Sequence, residues 1–405
     1  MAGPKLQAPK GTFDVLPPEG ERRRALARAC EEIFAAYGYA YAETPVFEDT
    51  EVFARGVGES TDIVQKEMFT FEDKAGRSLT LRPEGTAGIC RSYVENGMHK
   101  LPQPVKLWYW GPFFRHETPQ AGRYRQFNQV GIEALGSDDP SLDAEVILIL
   151  AELLERAGAQ GIRLRLASLG SIDTRRAYLD ELRDFLRGRE AELSEEVRGR
   201  LDTNPLRAFD ADHEGTRVVV ADAPKLMESL SDEDAEHFEH VRRMLDAAGI
   251  AYEIDPSLVR GLDYYTRTVF EFTSDALGAQ SGVGGGGRYD GLVEELGGPA
   301  TPGVGWAAGI ERILLAAGEA GEGQSPPQVY VTPGGFALAR ELRSRGIRVE
   351  LEQAGRSRKG QLKHADRLGV GWVVLVEEDG LQLKEMANGE QRAVADADEI
   401  ERALR

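Results

Sequence analysis

The stretch K-L-W-Y-W-G-P-F-F-R-H-E-T-P-Q-A-G-R-Y-R-Q-F-N-Q-V-G-I-E-A-L-G, residues 106–136, constrains what this chain can fold into more than any other. Two strand-forming runs are parted only by the loop Thr118 to Gly122, whose Pro and Gly mark a turn, so the runs form a hairpin. Further strand-like segments at 162–169 and 264–273 are not separated regularly by helices. With a helix over Glu19 to Tyr37 ending at Gly38, this predicts an antiparallel sheet with flanking helices, an α+β arrangement.

A chain of 405 residues exceeds one ordinary domain. Ala316 to Pro327, A-A-G-E-A-G-E-G-Q-S-P-P, has no hydrophobic period and reads as a linker. Beyond it, Val329 to Thr332, Ile347 to Leu351 and Trp372 to Val376 are strand-like. Helical stretches near Phe336 to Arg345 and Lys359 to Leu368 alternate with them, which predicts a small α/β domain with a largely parallel sheet. The expected domains are 1–325 and 326–405. Within the first, residues 171–255 are charged and mostly helical around a short strand at Arg217 to Ala221, and read as an insertion.

With 41% hydrophobic and 29% charged residues the chain has a globular composition. No apolar run approaches the ~18 residues of a membrane helix, and the N-terminus lacks the apolar region of a secretion signal, so a cytoplasmic protein without membrane contact is expected. Cys30 and Cys90 have no metal-ligand spacing, so no metal site is expected. The net charge of −19 argues against a surface coated for nucleic acid. From Ser325 onward, however, 13 basic residues balance 13 acidic ones, and Arg340 to Arg367 holds 9 basic against 4 acidic. That patch is suited either to phosphates or to simple solvation.

Several motifs place polar chemistry on strands. In the second run of the hairpin, Val130, Ile132 and Ala134 share one face, and Phe127, Gln129, Gly131 and Glu133 share the other. Gly131 would leave a gap for a ligand between the Gln129 amide and the Glu133 carboxylate, or would mark a bulge. On the preceding run Arg115 and Glu117 share a face, and such an arginine serves an ion pair or grips a phosphate in bidentate fashion. In L-T-L-R-P-E-G-T-A, Glu84 and Thr86 precede a helix and serve either as caps or as ligands.

L-V-R-G-L-D-Y-Y-T-R-T-V-F-E-F, residues 258–272, alternates Thr266, Thr268, Phe270 and Phe272 with Tyr265, Arg267 and Glu271, one face for the core and one for function or solvent. The run S-G-V-G-G-G-G-R-Y-D-G-L fits G-x-G-x-x-G literally but lacks the acidic residue about 20 positions on that a dinucleotide fold requires. It reads as a linker or as a backbone floor beneath a ligand. Arg312 adds a positive charge near a helix N-terminus, a placement that invites an anion or an aromatic plane.

Taken together these motifs resemble the histidyl-tRNA synthetases, class II aminoacyl-tRNA synthetases, from Gly11-Thr12-Phe13-Asp14 to the C-terminus. F-R-H-E at Phe114 to Glu117 with G-R-Y-R-Q-F at Gly122 to Phe127 resembles class II motif 2. G-I-E-R at Gly309 to Arg312 resembles motif 3, and E-T-P-V-F-E at Glu43 to Glu48 resembles motif 1, whose proline, Pro45 here, belongs to a homodimer interface. L-V-R-G-L-D-Y-Y and G-G-R-Y-D-G-L resemble the two signatures peculiar to the histidine enzymes.

The resemblance implies that L-histidine and ATP give histidyl-adenylate, from which histidine passes to the 3′ end of tRNA(His). It implies Arg260 and Arg115 at the α-phosphate as catalytic groups, and Arg123 and Arg312 on the outer phosphates. Adenine would lie between Phe127 and Arg312, and Mg²⁺ would shield the phosphates. Glu84, Thr86 and Gln129 would hold the α-amino group; Glu133 and Tyr265 would take the imidazole, and Tyr289 would complete the pocket. Gln120 would meet the tRNA acceptor end, and the C-terminal domain, with S-R-K-G-Q-L-K-H-A-D at Ser357 to Asp366, would bind the anticodon. The alternative within the same lineage is a non-catalytic regulatory subunit of ATP phosphoribosyltransferase.

Overall fold

The computed structural model describes residues 5–58, 61, 63–256, 258, 262, 264–278, 281–318 and 326–404. The chain forms two compact units, residues 1–321 and 322–405.

The strands of the first unit are β1 (Ala40–Tyr41), β2 (Phe47–Asp49), β3 (Phe69–Glu72), β4 (Ser78–Leu81), β5 (Val105–Phe114), β6 (Gln126–Leu135), β7 (Ile162–Ser168), β8 (Glu253–Ile254), β9 (Thr266–Ser274), β10 (Gly282–Arg288) and β11 (Gly303–Gly309). Eight of them make one sheet in the order β1-β5-β6-β11-β10-β9-β7-β8. Its six central strands are antiparallel, while β1 and β8 pair in parallel at the two edges. The expected hairpin is β5–β6, in register from Val105↔Leu135 to Phe114↔Gln126. A separate sheet runs β2-β4-β3.

The helices are α1 (Glu19–Ala36), α2 (Thr50–Val57), α3 (Thr86–Glu95), α4 (Pro140–Arg156), α5 (Ile172–Gly188), α6 (Glu195–Arg198), α7 (Glu214–Ala221), α8 (Asp232–Ala247), α9 (Leu292–Glu295) and α10 (Ile310–Ala316). Period two along β6 decides what lies on each face of the sheet. Val130, Ile132 and Ala134 enter a core with Phe34 of α1, Ile147 and Leu150 of α4, Phe238 of α8 and Ile313 of α10. The opposite face carries Tyr109, Phe113, Tyr265 and Tyr289 against Ile89 and Tyr93 of α3. Beneath the first face, the fully enclosed Arg288 at the end of β10 pairs with the equally enclosed Asp143 of α4.

The insertion is helical from α5 to α8, with a small core of its own in which Tyr178, Leu182 and Leu186 follow the i, i+4 rule. Arg217 to Ala221 is not a strand. The three valines sit in α7, where His213 caps the helix by accepting the Thr216 amide and Val219 is fully buried. Local β-propensity yields here to the cap and to the helical burial pattern.

The glycine run is neither linker nor loop. It is β10, hydrogen-bonded on both sides, to β9 and to β11. Side chains are excluded because the neighbours close in: a Cβ on Gly284 would overlap Ala308, and one on Gly286 would overlap the Gly305 carbonyl oxygen.

The second unit holds β12 (Val329–Val331), α11 (Phe336–Ser344), β13 (Val349–Leu351), α12 (Arg358–Arg367), β14 (Trp372–Glu377), β15 (Gly380–Glu385), β16 (Gln391–Val394) and α13 (Ala397–Leu404). The order β13-β12-β14-β15-β16 combines a parallel part with an antiparallel hairpin extension that the sequence pattern did not announce, since β15 and the edge strand β16 are largely polar.

The close approach in β10 separates two glycine classes. Gly286→Ala is expected to destabilise the first unit by about 3 kcal/mol, as an overpacked core does. Gly188→Ala, at the end of α5 with open space around it, should be neutral or slightly stabilising. Thermal unfolding of the two variants checks the contrast.

Candidate active site

A cleft of about 400 Å³ opens on the face of the sheet opposite α1 and α4, lined by Arg115, Arg123, Phe127, Gln129, Gly282 to Gly285 and Arg312 among others. The arginines of its lining lie just outside the strands, in the loop between them or at a helix start. Arg115 follows β5, Arg123 lies in the β5–β6 loop, Phe127 and Gln129 stand on β6, and Arg312 begins α10 directly after β11.

Arg115 donates from Nε to the Pro83 carbonyl at 2.9 Å, and its guanidinium carbon lies 5.4 Å from the centre of the Phe127 ring. Strand β5 ends at Phe114, so Arg115 and Glu117 do not share a strand face, and their nearest approach is 4.0 Å. Glu117 instead pairs with Arg123 at 3.3 Å. Arg312 donates to the Gly282 carbonyl. Its charge is held below the usual arginine range first by burial and then by the like charge of Arg123. Two guanidiniums that repel across a half-buried cleft define a place for an anion.

Gln129 contributes a different feature. Its side-chain oxygen is buried without a hydrogen-bond partner, an acceptor waiting for a donor. The amide belongs to the same face of β6 as Glu133, four residues on.

Glu133 is fully enclosed. Thr86 Oγ1 donates to its Oε1 at 2.7 Å, Tyr109 donates to the same oxygen over a longer 3.3 Å, and the Tyr289 hydroxyl donates to Oε2. Burial pushes the Glu133 carboxyl up to about 8 even though these hydroxyls work the other way. When ionised, the carboxylate offers about four lone-pair positions, so three donors leave one for an N–H.

The space beside Gly131 is filled from within. A Cβ there, or on Gly85, would overlap the Tyr109 phenol, so Gly131 makes room for a side chain under Glu133 and not for a ligand. Tyr109, which the sequence reading did not single out, is signalled only by that pair of glycines.

Glu84 and Thr86 meet the same pocket through α3. Glu84 accepts from the Thr86 and Ala87 amides at 2.7 and 2.9 Å and so caps the helix, and burial raises its carboxyl. Tyr265 packs 4.7 Å from the Tyr264 ring, which in turn meets Tyr289 edge-on at 5.8 Å. Glu84, Thr86, Glu133, Tyr265 and Tyr289 therefore form one enclosed group beside the cleft, whose lining combines three arginines with Glu117, Glu271 and Glu311. Gln120 lies apart on the exposed β5–β6 loop, where its backbone pairs with that of Arg123. Arg260 lies outside the described residues.

The faces expected for 258–272 hold for Phe270 and Phe272, which enter the helix-side core, and for Tyr265. They fail at Arg267. β10 pairs Gly287 with Val269 and then Arg288 with Thr266, so two extra residues bulge from β9. The bulge sends Arg267 to Asp234 of α8, on the opposite side from Tyr265.

The chain is similar to known proteins along nearly its whole length. The family profile for histidyl-tRNA synthetase matches residues 11–313, and that for an anticodon binding domain matches residues 328–405. The chain is 49% identical over 407 aligned residues to a histidine–tRNA ligase of Rubrobacter xylanophilus, and 47% identical over 402 to that of Desulforamulus reducens, with 96% of both chains covered in each case. A solved apo histidyl-tRNA synthetase from S. aureus superimposes with a TM-score of 0.83 at 35% identity, covering 99% of this chain and 100% of that one.

The Glu133 carboxyl supplies a test of the pocket that needs no ligand. Its proton is bound more tightly in the folded than in the unfolded chain, so it costs stability as pH rises from the ordinary carboxylate range to about 8. Glu133→Gln removes that loss. Melting curves between pH 5 and pH 8.5 should show the variant gaining on the parent as pH rises; a constant difference would place the ionised form in the folded pocket throughout.

Proposed function

The chain belongs to the histidyl-tRNA synthetase family, and on that premise we propose how the cleft and the enclosed pocket share the work. The reaction activates L-histidine with ATP and then transfers histidine to the 3′ end of tRNA(His). Residues 1–325 are assigned to this chemistry and 326–405 to anticodon binding.

In the first step the histidine carboxylate attacks the α-phosphorus, a P–O bond forms, and pyrophosphate departs with the electron pair of the bond that breaks. Negative charge builds on the α-phosphate oxygens. Arg115 and Arg260 stabilise it, and fixed cations aimed at developing charge are worth a few kcal/mol each. Arg123 and Arg312, whose like charges disfavour each other, take the outer phosphates. Adenine lies between Phe127 and the Arg312 guanidinium, a stacking that suits both groups. Magnesium would enter with the phosphates as part of the nucleotide substrate and shield their charge; Glu117 and Glu271 line the cleft where it would lie, whereas Glu311 is engaged by Arg23 and Asn128.

In the second step a 3′-terminal ribose hydroxyl attacks the histidyl carbonyl, the ester bond forms, and AMP leaves. Gln120, on the exposed loop, meets the acceptor end. The tRNA is held at its other end by α12, whose Arg358, Lys359, Lys363 and Arg367 are exposed.

Selection of histidine falls to the enclosed group. The fourth lone-pair position of Glu133 accepts one imidazole N–H, and Tyr265 faces the other ring nitrogen. Tyr289 and Thr86 keep the carboxylate oriented. The unpaired Gln129 oxygen accepts from the α-ammonium, and Glu84 adds negative charge near it. A pocket of this kind rejects side chains that leave its polar groups unpaired, by factors up to ~10⁴. The buried carboxylate next to an arginine-lined cleft is the observation that carries this reading.

The family acts as a homodimer, and we extend that to this chain because Tyr41, Val46, Phe47 and Phe71 leave apolar surface exposed around Pro45, with Phe47 and Phe71 in edge contact at 6.2 Å. The site of action is the cytoplasm, where tRNA and ATP meet. The regulatory-subunit alternative is the weaker one, since the ligases similar to this chain match it over 96% of their own length.

Histidine-dependent exchange of labelled pyrophosphate into ATP tests the activity. It should be specific to histidine and fall about a hundredfold or more in Arg260→Ala and in Arg115→Ala. Exchange no greater with histidine than with other amino acids would sink the reading. Gln120→Ala should leave exchange intact while slowing transfer to tRNA severalfold, the cost of a lost hydrogen bond.

A further inference from the structure

Arg267 is the only non-glycine among the described residues with positive φ, at +44°. A side-chain-bearing residue in that region is strained, and it persists only where its surroundings hold it there. The surroundings here come from the insertion and its neighbouring strand. The Arg267 amide donates to the Gly170 carbonyl at 2.6 Å, and its carbonyl accepts from the Leu169 amide at 2.7 Å. Its guanidinium donates from Nε to Asp234 at 3.2 Å and also pairs with Glu233, both on α8.

Asp234 is itself anchored. It is 1% exposed and accepts from the Ser171 amide at 2.9 Å, from the Thr174 hydroxyl at 2.7 Å and from the Ser231 hydroxyl at 2.9 Å. It thus joins the first turn of α5 to the first turn of α8, the two helices that bound the insertion. From α5 a second hand reaches the same segment: Arg175 Nη1 donates to the Tyr265 carbonyl at 2.8 Å. The residues held are Tyr265 and Arg267, on either side of Thr266, where β9 leaves the register of β10.

We propose that the insertion clamps this bulge in order to aim Tyr265 at the imidazole, with Arg267, Asp234 and Arg175 acting as positioning residues for histidine recognition. The proposal rests on the reading of Tyr265 as an imidazole partner. Without the clamp the strained bulge would relax into the ordinary register, and the two residues it takes up would slide the phenol by about 7 Å along the strand, on the same face but out of reach of the imidazole. The insertion therefore contributes to amino acid selection through the backbone, without touching the amino acid.

Strain gives the test its edge. Arg267→Ala keeps a Cβ that opposes the left-handed backbone and loses the ion pairs that impose it, so the bulge relaxes. Arg267→Gly also loses the ion pairs, but glycine adopts φ near +44° at no steric cost. In pyrophosphate exchange, Arg267→Ala should raise KM for histidine about tenfold, in line with a misplaced binding group, while KM for ATP stays within about twofold. Arg267→Gly should recover most of the loss. Arg175→Ala and Asp234→Asn should raise KM for histidine with the same selectivity.

A glycine variant as impaired as the alanine variant, or KM values for histidine and ATP that rise together, would overturn the clamp. So would variants that melt lower yet bind histidine normally. Tyr265→Phe separates the layers: if it leaves KM for histidine unchanged, the reading of Tyr265 fails; if it raises KM while the Arg267 series does not, the clamp alone fails.

Discussion

Burial of the Glu133 carboxyl under hydroxyl donors is the interaction around which the catalytic face is built. Placing a carboxyl out of contact with water is costly unless its lone pairs are satisfied. Thr86, Tyr109 and Tyr289 satisfy them from three different elements, and the bulk they bring must be accommodated by backbone that gives way. A Cβ on Gly305 would overlap the carboxylate, one on Gly303 would overlap the Tyr289 ring, and one on Gly85 or Gly131 would overlap Tyr109. Four glycines on three segments thus share one cause. Closing three donors on one carboxylate also fixes what remains, a single acceptor position in a dry site, and that selects a neutral or cationic N–H over an apolar side chain of equal size.

The strands were legible in the sequence wherever one face is greasy and the other is not. Val130, Ile132 and Ala134 announced β6. Where both faces of a segment are packed, the pattern has little to say. Apart from Val283 the Gly282 to Gly287 run carries no side chains to alternate, so nothing in its composition distinguished a central strand from a linker; pairing on both sides made it a strand. At Arg217 to Ala221 three valines spoke for extended chain, and only the tertiary core around Val219 and the cap from His213 overrode them.

The candidate-site residues were legible as types more than as contacts. Gln129 and Glu133 fall on one face by simple alternation, and the structure keeps them there. Alternation could not find Tyr109, because its role depends on glycines more than 20 residues away on either side. Nor could it place Arg267, since a bulge shifts the face without changing the sequence period. Glu84 shows the converse: capping and ligand binding looked like rivals, yet two backbone amides occupy only part of a carboxylate's acceptor capacity, so both roles are compatible.

Charge completes the physical picture. The chain carries a net −19, and its cleft nevertheless gathers Arg115, Arg123 and Arg312. Arg312 sits near the positive end of a short helix and beside another guanidinium, an arrangement that disfavours its own charge. Such crowding opposes folding slightly and favours an anion strongly, because the ligand that relieves it binds the folded chain and not the unfolded one. The acidic remainder of the surface repels polyanions in general, so phosphate binding is confined to places where arginines are held by strand ends and helix starts. On the proposed reading the like charge of Arg123 and Arg312 is in that sense part of the affinity for the nucleotide, whose phosphates would meet arginines already in place, so that little reorganisation would remain when the α-phosphate reacts.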